Sequence, residues 1–109
     1  MATTYKVLGQ SAPSATSATT LYTVPSATEA VISTIVVCNR AASAATYRIS
    51  VRPDGASQAN QHYIAYDATV SANDSTAITL GVTVNAADVI TVYASTADLS
   101  FNLFGSEIA

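Results

Sequence analysis

Apolar residues in this chain alternate with polar ones, and no stretch sustains the i, i+3, i+4, i+7 spacing of an amphipathic helix. Alternation of period two admits strands and little else. The clearest case is TYRISVR, residues 46–52, where Tyr47, Ile49 and Val51 fall on one face and Thr46, Arg48, Ser50 and Arg52 on the other. AITLGVTV, residues 77–84, reads as a strand with Ile78, Leu80, Val82 and Val84 inward and a bend or bulge at Gly81.

Two segments are apolar on both faces and belong inside a sheet or against a neighbour. In DVITVYAS, from residue 88, Val89, Thr91 and Tyr93 oppose Ile90, Val92 and Ala94. In the run from Val31 to Cys38, strict alternation puts Val31, Ile35 and Val37 on one side and Ile32, Val36 and Cys38 on the other. Pro25 precedes this run and so does not interrupt its ladder. The closing LSFNLF sends Leu99, Phe101 and Leu103 inward, with Phe104 among the polar residues of the opposite face. Either Gly105 kinks the strand and turns Phe104 inward, which is the expectation, or Phe104 is an exposed anchor for a partner.

Turn signals separate the strands: Pro53-Asp54-Gly55, Asn73-Asp74, Asn85 to Asp88 and Ala97-Asp98. Asp54, Asp67, Asp74, Asp88 and Asp98 lie at or beside such breaks, so most of the acidity reads as turn chemistry. About eight strands at this spacing predict an all-β, two-sheet antiparallel β-sandwich, jelly-roll or immunoglobulin-like. TYKVLG makes a short early strand, and QSAPSATSATT after it has no core-forming residue. The expected organisation is an N-terminal segment, residues 1–19, carrying a Ser/Thr/Ala-rich mobile arm or connector, and a β-sandwich domain, residues 20–109.

Composition bounds the partners. Only 10% of the residues are charged while 50% are hydrophobic. The surface is therefore rich in Ser, Thr, Ala and Asn, which enter a protein contact with little desolvation penalty. A homo-oligomer is the expectation. The net charge of −3 and four scattered basic residues argue against nucleic acid. No apolar stretch reaches membrane-helix length, and the amino terminus lacks the layout of a signal peptide, so the chain reads as soluble, without export signal or membrane contact.

Residues capable of chemistry are few. One cysteine excludes an intramolecular disulfide and a multi-Cys zinc site. Cys38 reads as a packing residue, since Arg40 is its one nearby cation. The single histidine, His62, sits in QHYIAYD, where alternation puts His62, Ile64 and Tyr66 on one face and Tyr63 and Ala65 on the other. His62, the tyrosines and Asp67 form a conceivable acid/base set, but half-buried strand aromatics are the simpler reading. Asp54-Gly55 with Asp74 lacks the spaced ligands of a calcium loop, and phosphate cradles and HExxH are absent. The expectation is a non-enzyme with no cofactor and no metal. Tyr63, Tyr66 and Phe104 are the candidate partner contacts, and the Tyr63 and Tyr66 region is the place for a carbohydrate-binding alternative.

LYTVPSATEAVISTIVVCNR, with its TVPSAT turn and Cys-Asn-Arg end, is followed by AATYRISV, DVITVYAS and SFNLFGSEI. Together these segments resemble a family of small virion structural proteins of tailed bacteriophages, over most of the chain from about residue 20. The resemblance implies a virion component made in the host cytoplasm. Its foremost form would be a capsid cement or decoration protein that bridges subunits of the major capsid protein, a trimer in solution. A tail, baseplate or fibre subunit is the alternative.

Overall fold

A computed structural model describes residues 2–109. Nine strands run β1 Thr3–Ser11, β2 Thr19–Thr23, β3 Glu29–Asn39, β4 Ala45–Arg52, β5 Tyr63–Val70, β6 Ser75–Ile78, β7 Val82–Val84, β8 Val89–Ala94 and β9 Leu99–Ile108. Short turns at Pro53–Gly55 and Asn60–His62 lie between β4 and β5. All pairings are antiparallel. One sheet, A, has the order β1-β9-β3-β6, with β7 also on β3; the other, B, has the order β2-β8-β4-β5. The all-β sandwich is as expected. The strand order selects the jelly roll over the immunoglobulin-like alternative: β1 and β2 lie in different sheets, and so do β2 and β3, β3 and β4, and β8 and β9.

The core lies between the sheets. Phe101, Ile32, Ile35, Ile49, Ile90, Leu99 and Leu103 are its largest fully buried side chains, each worth about 1.5–3 kcal/mol of burial. Tyr47 of sheet B meets Phe101 of sheet A edge to face, with centroids 6.3 Å apart. As expected, β3 and β8 are interior strands, β3 between β9 and the β6–β7 pair, and β8 between β2 and β4.

Bulges overturn several side-chain assignments. The β3–β9 register shifts between Ile32 and Thr34, which places Ser33 as an extra residue. Ile32 therefore joins Ile35 and Val37 in the core, while Val31, Val36 and Cys38 share the outer side. The predicted strand 77–84 is broken: β6 ends at Ile78, and Gly81, with φ +66°, directly precedes β7. Leu80, expected inward, is 58% exposed because residues 79–81 leave the sheet between β6 and β7.

Phe104 is not turned inward. It is half-buried on the face opposite Leu103, paired with Val7 and Thr34 in register. Gly105 answers a different need: a Cβ there would lie 2.1 Å from the Val31 carbonyl oxygen, so β3 and β9 reach their spacing at the bulge only without a side chain.

Of the expected segment 1–19, Met1 lies outside the described residues, and residues 2–19 are built into the sandwich rather than forming a free arm. Thr3–Ser11 is a full edge strand on β9, longer than the predicted TYKVLG, and Thr19 already belongs to β2. Pro13, in the connector, is buried. Ala2 and Ala109 exchange backbone hydrogen bonds of 2.8 and 3.0 Å, extending the β1–β9 ladder to the described ends.

Candidate binding surface

Sheet B exposes its outer face to the segment 53–62, which folds back over it. Arg52 tethers that segment, donating from Nη1 to the Ala56 carbonyl at 2.8 Å and from Nε to Thr91 Oγ1 at 3.1 Å. Ser50 donates to Gln58 Oε1 at 2.7 Å. The ordinary outward residues of β4 and β8 thus acquire a roof and rim.

Two register shifts in β5 build the aromatic part. Between Tyr47 and Ile49 of β4, β5 advances from Ala68 to Ala65, and between Ile49 and Ser50 it advances from Ala65 to Tyr63. Asp67 takes φ +51° at the first of these irregularities. Strict alternation puts Tyr63 and Tyr66 on opposite faces; the bulges bring them together, rings in edge-to-face contact at 4.9 Å. Tyr66 is 58% exposed and Tyr63 half-buried.

Arg48 joins this pair to a third ring. Its guanidinium carbon lies 4.3 Å from the centroids of both Tyr66 and Tyr93, the latter its β8 partner in register. Asp67 closes the cluster, accepting from Arg48 Nε at 2.7 Å. This hydrogen bond, more than any other influence, raises the Arg48 pKa. Asp67 therefore departs from the turn role expected of it. Asp88 keeps that role, accepting the backbone amides of Asp54 and Asn85 at 2.8 Å each.

Beside the cluster lies a pocket of about 220 Å³ lined by Ala18, Arg48, Ser50, Gln58, Tyr63, Thr91, Val92 and Tyr93. Tyr63 and Tyr66 were identifiable as candidates; Arg48, Tyr93, Ser50, Gln58 and Thr91 were not. The cross-strand register that assembles them is fixed by bulges, which alternation does not announce.

The acid/base set does not form. His62 sits in the turn before β5 and is buried, its Nδ1 accepting the Ala59 amide at 3.1 Å, which leaves the ring hydrogen on Nε2. Asp67 is occupied by Arg48 and Tyr66 points to solvent. Cys38 is half-buried on the outer side of sheet A, and Arg40 donates to the Ala97 carbonyl at 3.0 Å. Among the described residues, no group of three or more His, Cys, Asp or Glu side chains is gathered.

A second surface lies on sheet A. Phe104 borders a shallow groove of about 480 Å³ with Tyr5, Val7, Val31 and Ser33. Tyr5 is 84% exposed, and β1, which carries it, forms the edge of the sheet. Lys6, the one charged side chain of β1, is drawn to Glu107 at 2.7 Å. Comparison of the chain with protein-family models, curated proteins and solved structures found no match.

Proposed function

We propose that this chain is a structural subunit of a tailed-phage particle that assembles through the β1 edge and outer face of sheet A, foremost as a capsid cement or decoration protein. The edge carries the reading. A nine-residue edge strand, irregular in register at Leu8, offers a row of unpaired backbone donors and acceptors, and natural proteins usually guard such edges with charge, proline, bulges or a covering element. Here Lys6 is held against Glu107, and Tyr5, Val7 and Phe104 supply an apolar strip beside the edge.

The first occupant of the edge is a second copy of the chain, in a cyclic assembly whose closure removes the free edges; a trimer suits a site of three-fold symmetry. Several copies held together multiply weak contacts with a capsid lattice. The virion assignment itself rests on the resemblance of the strand segments to small phage structural proteins. Jelly rolls are frequent in viral capsid proteins and in lectins alike, a fold-level analogy that agrees with the assignment.

Light scattering of the purified chain is the direct test of assembly. A defined oligomer is expected, reduced to monomer by Val7→Lys; a monomer at every concentration would remove the assembly reading. Quantitative mass spectrometry of purified particles tests location. Copy number comparable with the major capsid protein identifies cement, whereas a number set by tail symmetry identifies the tail, baseplate or fibre alternative. Absence from particles overturns the virion assignment.

A further inference from the structure

We propose that the pocket on the outer face of sheet B binds one neutral pyranose ring, as the terminal residue of a glycan. Size comes first. At about 220 Å³ the pocket is smaller than the roughly 300 Å³ at which sites for drug-sized ligands begin, so it suits a single ring. Tyr63 stands on β5 opposite Ser50 and Tyr93 on β8 opposite Arg48, so the two rings border the pocket on a diagonal across β4. A saturated ring rests about 3.5–4.0 Å from an aromatic face.

The Arg48 guanidinium occupies a face of Tyr93, so Tyr63 is the ring that stacks on the sugar, and Tyr66 braces it edge to face. A wall already held in place loses little freedom when a ligand arrives.

The floor selects hydroxyls. Ser50, Thr91 and Gln58 are the uncharged polar, non-aromatic residues that line the pocket. Ser50 donates to Gln58, and Thr91 accepts from Arg52, so Ser50 retains acceptor capacity and Thr91 a donor. Sugar hydroxyls both donate and accept, and match such a mixed floor. A ring without hydroxyls would leave these groups unpaired, and discrimination of that kind is strong. The one charged lining residue, Arg48, is already neutralised by Asp67, which favours an uncharged ligand over an acidic one. A pyranose has the required shape, with hydrogen-bonding groups around its edge and C–H bonds on its faces.

The test is a ¹H–¹⁵N NMR titration of the full chain with methyl α-D-glucoside, methyl α-D-mannoside and methyl β-D-galactoside, with benzyl alcohol as the ring without a hydroxylated edge. Saturable shifts confined to Ser50, Gln58, Tyr63, Thr91, Tyr93 and their neighbours are expected for at least one sugar, with millimolar affinity. Tyr63→Ala and Gln58→Ala, each verified as folded by its own spectrum, should weaken binding about tenfold, or 1.4 kcal/mol. No saturable shift with any of the three sugars overturns the proposal. So does binding that survives both substitutions, or benzyl alcohol binding as tightly as the best sugar. Oligomeric state and particle composition are unaffected by these outcomes.

Discussion

Tyr22 of sheet B donates its phenolic hydrogen to the Glu107 carboxylate of sheet A, while Lys6 holds the other carboxylate oxygen at 2.7 Å. Three strands, β1, β2 and β9, are thus tied by one carboxylate. Lys6 first, and then Tyr22, holds the Glu107 pKa below its ordinary 4.5; burial first, and then Glu107, raises that of Tyr22 above its ordinary 10.0.

These directions set a pH window. A lowered carboxyl pKa contributes stability that is present above about pH 4.5 and is lost as pH falls through the folded-state value. A raised tyrosine pKa contributes stability that is full below about pH 10 and is lost as pH rises through its folded-state value. Urea unfolding at a series of pH values should therefore show losses on both sides of that window. Tyr22→Phe should lower stability at pH 7 by about 1–2 kcal/mol, abolish the Tyr22 contribution to the alkaline limb and make the acid limb shallower.

Gly105, in β9, and Gly81, in the connection between β6 and β7, should respond differently to alanine. At Gly105 the new Cβ meets the Val31 carbonyl oxygen at 2.1 Å and Ile32 Cα at 3.0 Å, both backbone atoms that cannot rotate aside. Gly105→Ala should cost about 3 kcal/mol or more, because the central β3–β9 ladder must open. At Gly81 no atom lies within 4 Å, and the penalty comes from φ +66° alone. Gly81→Ala should cost about 1 kcal/mol. Equilibrium denaturation of the two variants makes the comparison, and equal losses would contradict it.

Asn39 is 1% exposed and fully used: its two amide hydrogens serve the Ser43 carbonyl at 2.8 Å and, in a shared bond at 3.3 Å to each, those of Val70 and Ser71, and its side-chain oxygen accepts from the Ala41 amide at 2.9 Å. Asn39→Ala should lower stability by about 2–4 kcal/mol, since four backbone groups lose a partner at once. Asn39→Asp should be at least as harmful, because a carboxylate oxygen would then face three carbonyl acceptors. Thermal melts and amide exchange at Ala41 read both effects.

Alternation sufficed for β4, β8 and the start of β9, where no bulge intervenes on the inward side. Phe101, Ile49, Ile90 and Val92 are fully buried, on the faces expected of them. It failed at Ser33 and in β5, because one inserted residue inverts every side chain beyond it and has no obligatory composition. The same insertions decide the tyrosine cluster. Tyr63 and Tyr66 were visible as aromatics beside an acid, but their shared face depends on the bulges. Arg48 and Tyr93 reach them only through pairings made across distant parts of the chain. Leu80 was misplaced for a different reason: the chain leaves the sheet over residues 79–81, where Gly81 takes a positive φ, whereas the hydrophobic pattern runs straight through.

The order of strands also has a temporal meaning. In sheet A, β9 is inserted between β1 and β3, so β1, the earliest of these nine strands, has no sheet neighbour until β9 has been made. Sheet B needs nothing beyond Ala94. During synthesis, sheet B and the β3–β6–β7 part of sheet A can therefore pair while β1 waits without a ladder partner. In that interval the nascent chain is most exposed to mispairing with other chains, and slow release of Leu99–Ile108 prolongs it.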